Sequence, residues 1–301
     1  MPRKPQLRHW LEFAGYRLVV AALRLFPERI ALLLGEGLGW VAGVLFRVRW
    51  RTVMLHLDQA FPERDRTWRR SVARASFRHV GRQAVATFLL GRMGIEEVRE
   101  RTDVIGYEVM REAWSAGRGV IVLTGHFGNW EMGGASIAAH GTPCDVVAQR
   151  QRNPLFDDDL VENRTRLGLH VIERKDAPKE VLRSLRRGRV VGIVGDQNVR
   201  RAGVFVDFFG KPAATARGTA LFSLRTGAPI FLGMARGLPG SPQRYRVTFE
   251  RVEFEPTGDM EADLLGLTRA HTELLEKRIR EAPEQYFWQH RRWKTLPPDG
   301  D

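Results

Sequence analysis

A chain of 301 residues with 43% hydrophobic side chains can bury a sizeable core; neither disorder nor a polytopic membrane protein is indicated, and a single cysteine, Cys144, excludes a disulfide framework and a cysteine metal site. The formal charge of +13, carried almost wholly by arginine, favours an anionic partner such as phosphate, lipid headgroups, an acidic protein or nucleic acid, and selects none of them alone. The arginines are spread along the chain without a recognised nucleic-acid module, so nucleic acid is not expected.

The expected organisation is an accessory segment over residues 1–60 and one α/β domain over 61–301. Residues 8–51 are the most apolar part of the chain. Leu11, Ala14, Leu18, Ala22 and Leu25 recur at helical spacing, while Glu12, Arg17, Arg24 and Glu28 fall on the other side, which predicts an amphipathic helix. Pro27 ends it, and residues 30–46 form a second apolar run of marginal spanning length, broken by Glu36 and several glycines. A helix pair lying along the cytoplasmic face of a membrane satisfies this pattern better than a crossing one. Arginines flank the second run on both sides, and Trp10, Trp40 and Trp50 are placed for the headgroup layer. The alternative is that these helices cover the core of a soluble domain.

Residues 66–90 predict a long basic helix, and 107–117 a shorter one closed by Gly117. Short β-rich runs follow at 119–124, 144–149, 169–174, 190–196, 228–235 and 245–256. Helical stretches separate them near 129–140, 154–167, 177–187 and 213–226, and a last helix spans about 259–281. The alternation predicts a mostly parallel or mixed sheet flanked by helices, with an antiparallel final strand pair.

The stretch GHFGNWE, residues 125–131, stands at the end of the apolar run GVIVLT. Ligands of open α/β sheets bind beyond the carboxyl ends of strands, which puts His126 on the functional edge. In one continuous helix, residues five apart diverge by about 140°, so His126 and Glu131 can meet only if the chain turns between them. Gly125 and Gly128 permit that turn. A carboxylate accepting one ring N–H would fix the imidazole tautomer and leave the other nitrogen as a base toward an alcohol. A third metal ligand is not evident, and no serine or cysteine sits in a nucleophile elbow, so no metal, cofactor or covalent enzyme intermediate is expected.

Beyond this motif, the stretches RNPLFDDDLVENRTRLG (152–168), VVGIVGDQNVRRAGVFVDFFGKPAATARGTALFSLRTGAPI (190–230) and APEQYFWQHRRWKTLP (282–297) resemble the late acyltransferases of lipid A biosynthesis, a family with an H-x4-D/E motif. The likeness runs from the N-terminal helices almost to the C-terminus. It implies a glycerolipid-acyltransferase-like α/β fold, His126 as general base and Glu131 as its orienting partner. It also implies that Arg164, Arg166 and Asp196 border the site, and Asn129 and Gln197, within the same motifs, join them as candidate substrate-binding residues. The implied donor is acyl carrier protein, or acyl-CoA as in phosphatidylinositol mannoside acyltransferases, and the implied acceptor is a phosphorylated glycolipid at the membrane.

Three finer expectations accompany these. FFGKPAAT is expected to form a loop opening a helix near 214–217 with Thr215 as its cap. Phe205, Phe208 and Phe209 suit either an acyl-chain groove or an ordinary core. His290, Arg291, Arg292 and Lys294, with Trp288 and Trp293, suit an anionic headgroup or an acidic carrier protein.

Overall fold

The computed structural model describes residues 5–200 and 203–297. Helices α1 (Leu7–Leu23), α2 (Glu28–Trp40, continued by a π-helical turn, Val41–Leu45), α3 (Trp50–Ala60), α4 (Arg66–Leu90) and α5 (Ile95–Arg101) precede strand β1 (Thr102–Ile105). Then come α6 (Tyr107–Ser115), β2 (Val120–Thr124), α7 (Trp130–Ala139), β3 (Cys144–Ala148), α8 (Pro154–Arg166), β4 (Leu169–Glu173), α9 (Ala177–Arg186) and β5 (Val190–Val194). A hairpin, β6 (Gly203–Phe208) and β7 (Lys211–Ala216), leads to α10 (Gly218–Thr226), β8 (Ile230–Gly237), β9 (Tyr245–Arg251) and α11 (Met260–Glu281).

Seven strands form one mixed sheet in the order β1-β9-β8-β2-β5-β3-β4, parallel throughout except at the β8/β9 pair. Side chains alternate along β2: Val120 and Val122 pack under α7, and Ile121 and Leu123 pack against α9, α10 and α11. The sheet is therefore covered by helices on both faces, which is why its inner strands read as unbroken apolar runs.

Two expectations change. FFGKPAAT is the end of a β-hairpin, with Phe209 and Gly210 both at positive φ in its two-residue turn. Thr215 is a buried strand residue whose hydroxyl accepts from Arg292, and the helix begins only at Gly218. The strand expected over 245–256 stops at Arg251, and the short edge strand β1 has no counterpart in the expected pattern.

The N-terminal helices pack by unusual means. Gly35 and Gly39 of α2 meet Gly81 of α4 so closely that an added Cβ would lie 2.1–2.6 Å from backbone oxygen. The glycines in the second apolar run thus let two helices touch. Glu36 within that run pairs with Arg82, and Glu28 with Arg101, both on the protein side. α1 faces the body with His9, Phe13, Tyr16, Val20 and Leu23; Tyr16 and Arg17 bond Asp159 of α8, and the Tyr16 ring lies 4.1 Å from Phe156. Leu11, Leu18 and Leu25 point outward and are 67–85% exposed. No single described helix is long and apolar enough to cross a membrane; a bent pair, Glu28–Leu45 with Trp50–Ala60, passes only jointly, with an 87° bend.

Candidate active site

Strands β2 and β5 pair in parallel with Thr124 opposite Val194, so the residues two positions beyond each end, His126 and Asp196, face one another. His126 Nδ1 lies 2.7 Å from Asp196 Oδ1, and the His126 backbone N–H donates to Asp196 Oδ2 at 2.8 Å. Gly125 makes room, since a Cβ there would lie 3.2 Å from Asp196 Oδ2. Gly128 then reverses the chain at φ +56°, pressed against the Ala235 carbonyl where no side chain fits. Asn129 opens α7 by accepting from the Met132 N–H, and Trp130 stands edge-on 4.8 Å from the imidazole.

Asp196, not Glu131, is therefore the partner of the imidazole. Glu131 sits in the first turn of α7, where its carboxylate grips the Arg164 guanidinium in two parallel bonds, Nε to Oε2 at 3.0 Å and Nη2 to Oε1 at 2.6 Å. The turn brings Glu131 back toward the histidine as the glycines predict, but α8 supplies a competing cation that captures it.

Burial pulls the His126 pKa down, yet the charge and hydrogen bond of Asp196, with a smaller contribution from Glu131, leave it above its ordinary value of 6.5. Burial opposes ionisation of Asp196, and His126 outweighs this and holds the carboxyl below 3.8. With Asp196 ionised, Nδ1 carries the proton, and Nε2 offers its lone pair. The Gln197 amide donates to that nitrogen at 3.2 Å.

His126 opens into a cavity of about 740 Å³. Its inner wall is apolar, with Val122, Ile137, Leu169 and Phe249 interrupted by the bare backbones of Gly133, Gly134, Gly192 and Gly233. Its mouth is polar, with Gln149, Arg150, Arg152, Glu131, Arg164 and Arg174. The structure thus gathers His126, Glu131, Arg164, Asp196 and Gln197 at one rim.

Other candidates lie elsewhere. Asn129 is buried, spends its side chain on capping α7 and bonding Tyr245 and Thr87, and does not line the large cavity. Arg166 is exposed on α8 and bonds Asn163, because residues two apart on a helix cannot share a face with Arg164. Phe208 and Phe209 pack in the core with Phe61, Tyr286 and Trp288, and neither they nor Phe205 line the cavity. Arg292 is 2% exposed and holds Ala214 O and Thr215 Oγ1, so it braces the hairpin instead of meeting a headgroup. Arg150, Arg152 and Arg174 had no site role in the sequence reading, although Arg150 directly follows one expected strand and Arg174 ends another.

The bacterial lipid A biosynthesis acyltransferase family model matches residues 2–295. The chain belongs to that family. The lipid A biosynthesis lauroyltransferase of Escherichia coli K12 is 29% identical over 96% of this chain and 93% of its own length. The palmitoleoyltransferase of the same strain is equally similar over the same shares. The phosphatidylinositol mannoside acyltransferase of Mycolicibacterium smegmatis is 32% identical over 52% of this chain and 53% of its own length. This lipid A family member is accordingly an acyltransferase.

Proposed function

We propose that this protein moves a fatty acyl group from an acyl-carrier-protein thioester to a hydroxyl of a phosphorylated lipid A precursor at the cytoplasmic face of the inner membrane. One observation carries the reading: a buried carboxylate sets the tautomer of His126, whose free nitrogen opens into a cavity with an apolar interior and a cationic mouth.

The acceptor hydroxyl replaces the Gln197 amide at Nε2. As its oxygen attacks the thioester carbonyl, Nε2 takes the proton, and the Asp196 carboxylate stabilises the imidazolium. The carbonyl electrons move to oxygen, and their return expels the thiolate, which takes the proton from His126 to leave as thiol. The released Gln197 amide then serves as a donor to the developing oxyanion. The Glu131–Arg164 pair holds α7 and α8 together at the rim, and Arg152 and Arg174 offer charge to an acceptor phosphate. The apolar interior suits the acyl chain.

Membrane attachment is supported by the outward leucines of α1 and by Leu33, Leu38, Leu45 and Phe46, all at least half exposed. The test is incubation of purified protein with acyl carrier protein or CoA thioesters and with lipid A precursor or phosphatidylinositol mannoside, read by product mass. Transfer to the lipid A precursor, lost by roughly 10²- to 10⁴-fold in His126→Ala, is expected. Transfer to the mannoside alone would favour the second reading, to which the mycobacterial relative's name points.

A further inference from the structure

A second concave site lies outside the catalytic cavity. Arg47, Arg49 and Arg51, around the start of α3, and Arg291 and Lys294, from the C-terminal tail, surround a hollow of about 450 Å³ with Thr52. Among the described residues none of the five cations forms an ion pair. Five like charges around one hollow repel each other unless an anion joins them. Arg47 and Arg49 also hold left-handed backbone, φ 52° and 59°, a conformation that is costly for any residue with a side chain.

The hollow is held in shape by contacts that do not involve its charges. Gly43 packs flat against Phe77, and Trp50 stacks on the same ring, which anchors the turn. His56 bonds the Trp288 carbonyl at 2.8 Å and meets Trp293, which ties α3 to the tail. The cations of two segments more than 230 positions apart are thereby fixed facing one space.

The neighbours of these cations decide the class of anion. Leu45, Phe46 and Val48 alternate with the arginines and are 63%, 71% and 55% exposed. A lipid surface offers hydrocarbon and phosphate at adjacent depths, which matches exposed apolar side chains interleaved with cations. We propose that this hollow binds the headgroup phosphate of an anionic membrane lipid, an inference that rests on the membrane attachment proposed above. Guanidinium forks grip the phosphate oxygens while Leu45, Phe46 and Val48 enter the acyl layer. The tail that completes the hollow also holds the catalytic loop: His290 accepts from the Asn198 N–H, and Thr295 exchanges bonds with the Asn198 side chain. A lipid bound here docks the enzyme with its catalytic loop beside the bilayer surface.

The test is flotation of the purified full chain with vesicles of phosphatidylcholine alone or containing phosphatidylglycerol, together with calorimetric titration of inorganic phosphate without vesicles. Wild type, Arg47→Gln/Arg49→Gln and Arg291→Gln/Lys294→Gln are compared after thermal melting has checked their folding. The two variants lie on separate segments, so the tail pair still reads the site if the turn pair does not fold. Wild type is expected to prefer anionic vesicles. Each double variant should lose roughly 25-fold of that affinity, about fivefold per charge, and leave binding to neutral vesicles unchanged. Equal flotation of wild type with both vesicles, or phosphate heat without anionic preference, overturns the lipid site while leaving membrane attachment standing. Absence of flotation with either overturns both. Acyl transfer assayed in detergent reports separately on the catalytic reading and is expected to persist in Arg47→Gln/Arg49→Gln.

Discussion

The two strand ends that meet at His126 are built differently. Beyond β2 the chain turns sharply through Gly125 and Gly128 and enters α7 at once, so its side chains are aimed by a helix start. Beyond β5 there is no helix. The loop after β5 is pinned by Asp196 on His126 and by Asn198 on the C-terminal tail, and Gln197 between them is held only by one long bond, 3.2 Å to His126 Nε2. The first end presents the base rigidly, and the second supplies the groups that orient and uncover it. Rigid aim and local freedom come from neighbouring strands, and strand register joins them.

The sharpest way to break that comparison is Asp196→Asn. If the β5 loop fixes the tautomer, kcat should fall on the order of 10³- to 10⁴-fold with acceptor affinity largely kept. A loss below tenfold would hand the orienting role elsewhere. Gln197→Ala comes next: loss of an oxyanion donor lowers kcat by roughly 10² with little change in KM, and a fall in KM alone would make the residue only a plug. On the β2 side, Arg164→Ala should lower stability by about 1–3 kcal/mol, measured by urea unfolding, because Glu131 is left half-buried and unpaired. Glu131→Ala/Arg164→Ala should recover part of that loss.

The smallest effect is read from pH. A base must be neutral, so kcat/KM should climb as pH rises through the His126 value, above 6.5, and this acid limb should move to lower pH in Asp196→Asn. Stability runs the other way. The raised His126 value means that its ion pair stabilises the fold fully below 6.5 and fades as pH rises through the folded value. The depressed Asp196 value means that its contribution, present above 3.8, is lost as pH falls through its lower folded value. Melting temperature should therefore carry a hump between the two that Asp196→Asn flattens.

The layout of the sheet was legible because parallel strands covered on both faces must be apolar runs, and helices such as 66–90 and 259–281 carry clear caps in Asp65 and Asp259. His126 was legible from its place after such a run. Its partner was not, since a spacing of five offered Glu131 and only pairing across the sheet offers Asp196. A usable sign did exist: LTGH and IVGD both place a glycine and then a titratable residue after a strand, and adjacent strands would align them. The hairpin was hidden because Lys211–Ala216 has no β-branched run and owes its strand to Phe209–Gly210 and to the buried Arg292. The role of Arg166 failed on simple geometry, two positions along a helix from Arg164.

The docking of α1 on α8 bears on how the protein is handled. Trimming the chain before Pro27 to rid it of greasy side chains would strip Tyr16 and Arg17 from Asp159 and bare Phe156, on the same helix that carries Arg164 to the rim. The shortened product would dissolve more readily and work less well. A gentler route to a tractable sample keeps α1 whole and swaps only Leu11, Leu18 and Leu25 for hydrophilic residues.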